Sequence, residues 1–99
     1  MNFAEFQEQD RRLVLLKGLA SAAQYRANAF LLRRYADAVG HVVSADRIEA
    51  DLAWLAEAGL VTTEAASGGV TVATITARGQ DVATGRAEHP GVQRPQPGG

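Results

Sequence analysis

Three groups of residues have the types and spacing to handle a polyanion. Arg33 and Arg34 are adjacent, Arg26 precedes them, and Arg47 follows Ser44 by about one helical turn. A guanidinium presents five donors in a rigid fork, which pairs with phosphate oxygens or with the O6/N7 edge of guanine. Carried on one helix, Arg26, Arg33 and Arg34 fall within about 100° of one another and reach a single phosphate backbone. The other reading is that Arg33 pairs with Asp37 at i,i+4 and that all three are solubilising charges. Ser44, Arg47 and Ala50 are the early outward positions of the next helix, where base edges would be met. At a glycine-rich turn, the backbone N–H groups of Ser67, Gly68 and Gly69 offer one more phosphate contact.

The neighbours of Arg47 oppose this chemistry. Asp46, Glu49, Ala53, Trp54 and Glu57 share its outward face, with Asp51 on the flank. One cation against four carboxylates repels a duplex, so a solvated or protein-facing surface is the competing reading. Trp54 either packs against the hairpin or a neighbouring helix, or stands out as an anchor for a protein partner. Other chemistries find less support. The two histidines, His41 and His89, match no ligand spacing with Asp37 or Asp46. A helix points Asp46, Glu49 and Asp51 in different directions, and no nucleophile–base pair or phosphate-cradling loop accompanies them. With no cysteine, disulfides and thiolate metal sites are excluded. No metal, cofactor, catalytic residue or enzymatic activity is expected.

The elements that must position these residues centre on 44–61, SADRIEADLAWLAEAGLV. Ser44 caps a helix whose Ile48, Leu52 and Leu55 recur at i, i+4 and i+7, Gly59 ends it, and Leu60-Val61 leads straight into a strand. Before it, residues 4–23 form a first helix that is apolar nearly all round in its second half. Leu15 and Leu19 are covered either by the last helix or, with Val14, by a second copy in a homodimer. Residues 22–28 turn the chain. Residues 29–39 form a second helix with Leu31, Tyr35 and Ala38 on its apolar face, widened by Phe30, Leu32 and Val39. After the third helix, 62–76 reads as a hairpin with Ser67-Gly68-Gly69 at its tip. Thr76 caps a last helix running to about Glu88. Residues 89–99 hold all three prolines and three glycines, which marks a flexible tail that contributes no core.

Size and charge set outer bounds. A chain of 99 residues with 46% hydrophobic and 21% charged residues suits one soluble globular domain, here 4–88, followed by the tail. The longest apolar cluster, Leu13–Leu16, is far short of a membrane span. No signal peptide is apparent, so a cytoplasmic location in the host is expected. A net charge of −1 confines any nucleic-acid surface to a local patch.

Helix, helix, turn, helix and hairpin, with DLAWLAEAGLV at 51–61 and ITARGQDVA at 75–83, resemble the winged-helix domains of ArsR-like and MarR-like bacterial regulators. Over nearly the whole chain, QDRRLVLLKGLA, SADRIEADLAWLAEAGLVT, VTVATITARGQDVATGRA and PGVQRPQPG look like a family of small proteins of Mu-like phages and prophages. The resemblance implies a phage or prophage origin and a winged helix-turn-helix fold, mainly α with a small β-hairpin. It implies no site residue. The expected function is double-stranded DNA binding as a small transcriptional regulator, with a homodimer as the acting form. The alternative is a winged helix repurposed for protein–protein interaction or phage assembly.

Overall fold

The computed structural model describes residues 1–97; Gly98 and Gly99, the end of the expected tail, lie outside the described residues. Among the described residues, four α-helices and a three-stranded antiparallel sheet follow one another in the order helix, strand, helix, helix, strand, strand, helix. This is a mainly helical, winged-helix-like arrangement.

Side-chain caps open all four α-helices. Asn2 accepts from the Glu5 N–H at the start of α1 (Phe3–Ser21), and Asn28 from the Leu31 N–H at the start of α2 (Ala29–Ala38). Ser44 caps α3 (Ala45–Glu57) through the Arg47 N–H, and Thr76 caps α4 (Ala77–Thr84) through the Gly79 N–H. Each cap satisfies one of the orphan donors of the first turn. Gly59, at φ 78°, releases α3 into the sheet. α4 stops at Gly85, left-handed at φ 86°, and does not reach Glu88.

The hairpin pairs β2 (Val61–Ala65) with β3 (Thr71–Ile75) around Ser67–Gly69. A third strand, β1 (Arg26–Asn28), pairs with the other edge of β3, so the sheet order is β1-β3-β2. Residues 22–28 are therefore not only a turn. Gln24 and Tyr25 take positive φ in a tight bend, after which three residues run extended. Such a short strand carries no periodicity and exists because β3 supplies its hydrogen bonds.

Ile48, Leu52 and Leu55 are fully buried, as the spacing predicts, and seat α3 on its predecessors. In α2 the inward face differs from the expected one: Ala29, Leu32 and Ala36 are buried, whereas Leu31, Tyr35 and Val39 are exposed. The helix is apolar on both sides, and its small residues sit inward, where they let the neighbouring helices approach. Leu15 and Leu19 have no accessible surface within the single chain, and α1 packs along α4. They are core, not a dimer contact; Val14 is half-buried. Gly79 permits close packing, since a Cβ there would lie 2.1 Å from the Leu60 carbonyl oxygen.

The segment after α4 departs from the expected coreless tail. Val92 joins the hydrophobic core at 5% exposure, and the Gln93 N–H donates to the Gln9 carbonyl. Proline and glycine exclude regular structure here without excluding a strap that docks by backbone hydrogen bonds and one apolar anchor.

Candidate nucleic-acid interface

Two helices joined by a short turn present the candidate surface. The turn is braced from both sides. Arg33 Nε donates to the Val43 carbonyl at 3.1 Å, and His41 Nε2 meets the Asp10 carboxylate of α1 at 2.7 Å. Arg33 thus stands one residue before the Ser44 cap, beside the positive end of α3, instead of pairing with Asp37. Arg47 is exposed in the first turn of α3, and among the described residues no carboxylate pairs with it. Arg34 is exposed on α2, its guanidinium carbon 6.0 Å from the centre of the Phe30 ring.

Arg26 is not part of this group. It lies on β1, not on a helix, and its guanidinium binds Glu64 of the hairpin at 2.8 Å. The arginine set expected on one helix is therefore split, with Arg33 and Arg34 on α2 and Arg26 on the sheet. At the hairpin tip Ser67, Gly68 and Gly69 are exposed, and Gly68 and Gly69 take positive φ. The Gly69 N–H is already spent on the Ala66 carbonyl at 3.0 Å.

The acidic face of α3 is smaller than the sequence suggests. Asp51, expected on the flank of the outward face, is 3% exposed, and its carboxylate takes both Nε and a terminal nitrogen of Arg11, 5% exposed, at 2.5 and 3.1 Å. This bidentate pair ties α1 to α3 from inside. Glu49 accepts from the Thr71 hydroxyl at 2.7 Å, linking α3 to the hairpin. Asp46, Glu49 and Glu57 remain exposed beside Ala50 and Ala53.

Trp54 packs against a neighbouring helix, one of the two packings its position suggests, and against the segment after α4 instead of standing as an open anchor. The Arg12 guanidinium lies 3.9 Å from the centre of its ring, and His89 meets it edge-on at 5.2 Å. Gly91 presses on the same ring so closely that a Cβ would fall 2.4 Å from it, while the Gly91 carbonyl accepts from Arg12 at 3.0 Å. The signal for this arrangement was the HPG sequence at 89–91, where a residue without a side chain follows a proline. The two histidines have separate partners, His41 with Asp10 and His89 with Trp54. No helix among the described residues is long and apolar enough to cross a membrane.

No protein-family model matches the chain, and no solved structure matches it. Two curated proteins do. The chain is 48% identical to the uncharacterised protein gp26 of Escherichia phage Mu over 89 residues, covering 90% of this chain and 91% of the phage protein. It is 42% identical over 78 residues to an uncharacterised protein of Haemophilus influenzae, covering 79% of this chain and 76% of that one. Identity at this level along almost the full length of both partners places the chain in the family of the phage Mu protein gp26.

Proposed function

We propose that this phage-related protein binds double-stranded DNA as a small transcriptional regulator, with the N-terminal half of α3 directed at the major groove. The observation that carries the reading is the Arg33–Val43 contact. It holds a guanidinium at Val43, beside the capped N-terminus of α3 and four residues before the exposed Arg47. Two cations and the positive end of a helix then converge where a phosphate would lie. Arg34 adds a backbone contact from α2, and Arg47 is the side chain that reaches a base edge. Removal of Asp51 from the surface, by its pairing with Arg11, supports this by lowering the negative charge facing the duplex.

Fluorescence anisotropy on duplex DNA tests it. Two to three neutralised phosphates give a slope of log K against log salt of about −2 to −3, a loss of roughly 10- to 40-fold between about 50 and 200 mM salt. Replacing Arg33 and Arg34 together with Ala should weaken binding to all sequences alike and reduce that slope, whereas Arg47→Ala should relax preference at one position. No binding at the lower salt would overturn the reading. It would favour a protein-interaction or phage-assembly module instead, for which the specific observation is the exposed apolar side of α2 formed by Phe30, Leu31 and Tyr35.

A further inference from the structure

The sheet has two unlike edges. β1, on one side of β3, is three residues long and runs straight into α2, so it offers almost no length to a further strand. β2, on the other side, runs five residues in unbroken register, from Val61 against Ile75 to Ala65 against Thr71. Thr62, Thr63, Glu64 and Ala65 are all exposed. In an antiparallel pair alternate residues bond to the partner strand, and those between turn both backbone groups the other way. The Ala66 N–H donates to the Val70 carbonyl and the Thr76 N–H to the Leu60 carbonyl, which makes Thr62 and Glu64 the residues bonded to β3. Thr63 and Ala65 therefore direct their N–H and C=O groups outward, ~7 Å apart, and among the described residues no group pairs with them. Natural sheets blunt such an edge with Lys, Pro or a bulge. β2 has none of the three, and its single charge, Glu64, is drawn back across β3 to Arg26 at 2.8 Å.

We propose that this edge binds an extended segment of a different protein, which adds as a strand antiparallel to β2 and carries Lys or Arg opposite Glu64. The edge selects a strand because only an extended backbone presents N–H and C=O groups at the matching ~7 Å repeat. Charge selects the kind of strand. A segment bonded to both Thr63 and Ala65 has one residue directly opposite Glu64, with Cβ atoms ~5 Å apart. If that segment were β2 of a second copy, Glu64 would face Glu64, and like charges directly opposite are destabilising. Sliding the copies one way sets Ala65 against Val61, which is 2% exposed; sliding them the other way sets Thr63 against Ser67, which lies in the turn. The edge therefore fits a foreign strand better than its own. A cation opposite Glu64 meets a side chain that is 65% exposed and holds Arg26 through Oε1, and a carboxylate accepts more than one donor. Main-chain bonds then supply the attraction and Glu64 the selectivity. This surface depends on neither DNA binding nor the apolar side of α2.

Amide exchange measured by NMR on the full chain tests it, with an end-capped designed peptide, Thr-Val-Thr-Lys-Thr-Val-Thr, as the probe and its Lys→Glu counterpart beside it. Weak binding, with a Kd of about 0.1 to 3 mM, should slow solvent exchange at Thr63 and Ala65 and change little at Thr62 and Glu64, which already bond to β3. The Glu counterpart should bind at least about 5-fold more weakly. Glu64→Lys should reverse that order; it alters only an exposed ion pair, and circular dichroism checks the fold. Thr63→Pro should abolish binding of both peptides, because it removes one outward donor; an edge strand tolerates proline where its N–H side faces solvent. N-methylating the peptide amides that face β2 should do the same from the other side. Unaltered exchange at Thr63 and Ala65 with about 5 mM of either peptide, equal binding of the two peptides to wild type and to Glu64→Lys, or self-association of the wild-type chain through β2 would overturn the inference.

Discussion

Substituting Asp51 by Ala gives the sharpest test of how α3 is held. Arg11 and Asp51 are both almost wholly buried and joined by two hydrogen bonds between elements 40 residues apart. Removing the carboxylate leaves a guanidinium inside the protein without a counter-charge, which costs about 3–5 kcal/mol. Against a total stability of about 5–15 kcal/mol for a domain of this size, that is roughly a fifth or more of what holds the fold. Each kcal/mol moves the midpoint of a small domain by roughly 4–8 °C, so the melting temperature should fall by at least about 12 °C. Replacing both partners by apolar residues of similar volume, Arg11→Met with Asp51→Leu, should recover most of the loss or exceed wild type, since the desolvation cost disappears with the charges. Urea unfolding followed by circular dichroism, with the slope m compared across the set, gives the double-mutant coupling energy. A cost below about 1 kcal/mol for Asp51→Ala, or a double variant as unstable as the single one, would refute the reasoning.

Two further outcomes follow from close contacts. Gly79→Ala drives a methyl group into the Leu60 carbonyl, and overpacking of this kind should cost about 3 kcal/mol or more. Thermal unfolding checks it; a change under about 1 kcal/mol would mean that α4 shifts freely. Gly91→Ala should lift the strap from Trp54, move its emission to longer wavelength, and forfeit up to about 1.5–3 kcal/mol of Val92 burial. An unchanged Trp54 spectrum would show that the strap yields elsewhere.

Local signals were the legible part of the fold. Ser44 and Thr76 announce their helices because a cap is a single residue acting on the next three. Ile48, Leu52 and Leu55 declare their face because the rest of α3, Trp54 apart, is polar or small. The order of elements followed, and the hairpin with it. What escaped depends on partners distant in sequence. β1 has three residues and exists only against β3. α2 offers two apolar sides, and periodicity cannot rank them. Asp51 looks like a surface charge until Arg11 arrives from α1. At the candidate site, the positions of Ser44, Arg47 and Ala50 on the exposed start of α3 were readable. The placement of Arg33 was not, because its partner is a backbone carbonyl in the turn, and carbonyls leave no trace in a residue pattern.

The strap has a consequence for the order of folding. Gln9 and Gln93 bond through both backbone and side chains across a separation of 84 residues, so one wall of the interior closes only when distant segments meet. Until then the ring of Trp54 and the site of Val92 stay wet while the local turns of the helices between them can already form. A closure of such reach carries a large loop entropy and is expected to come late.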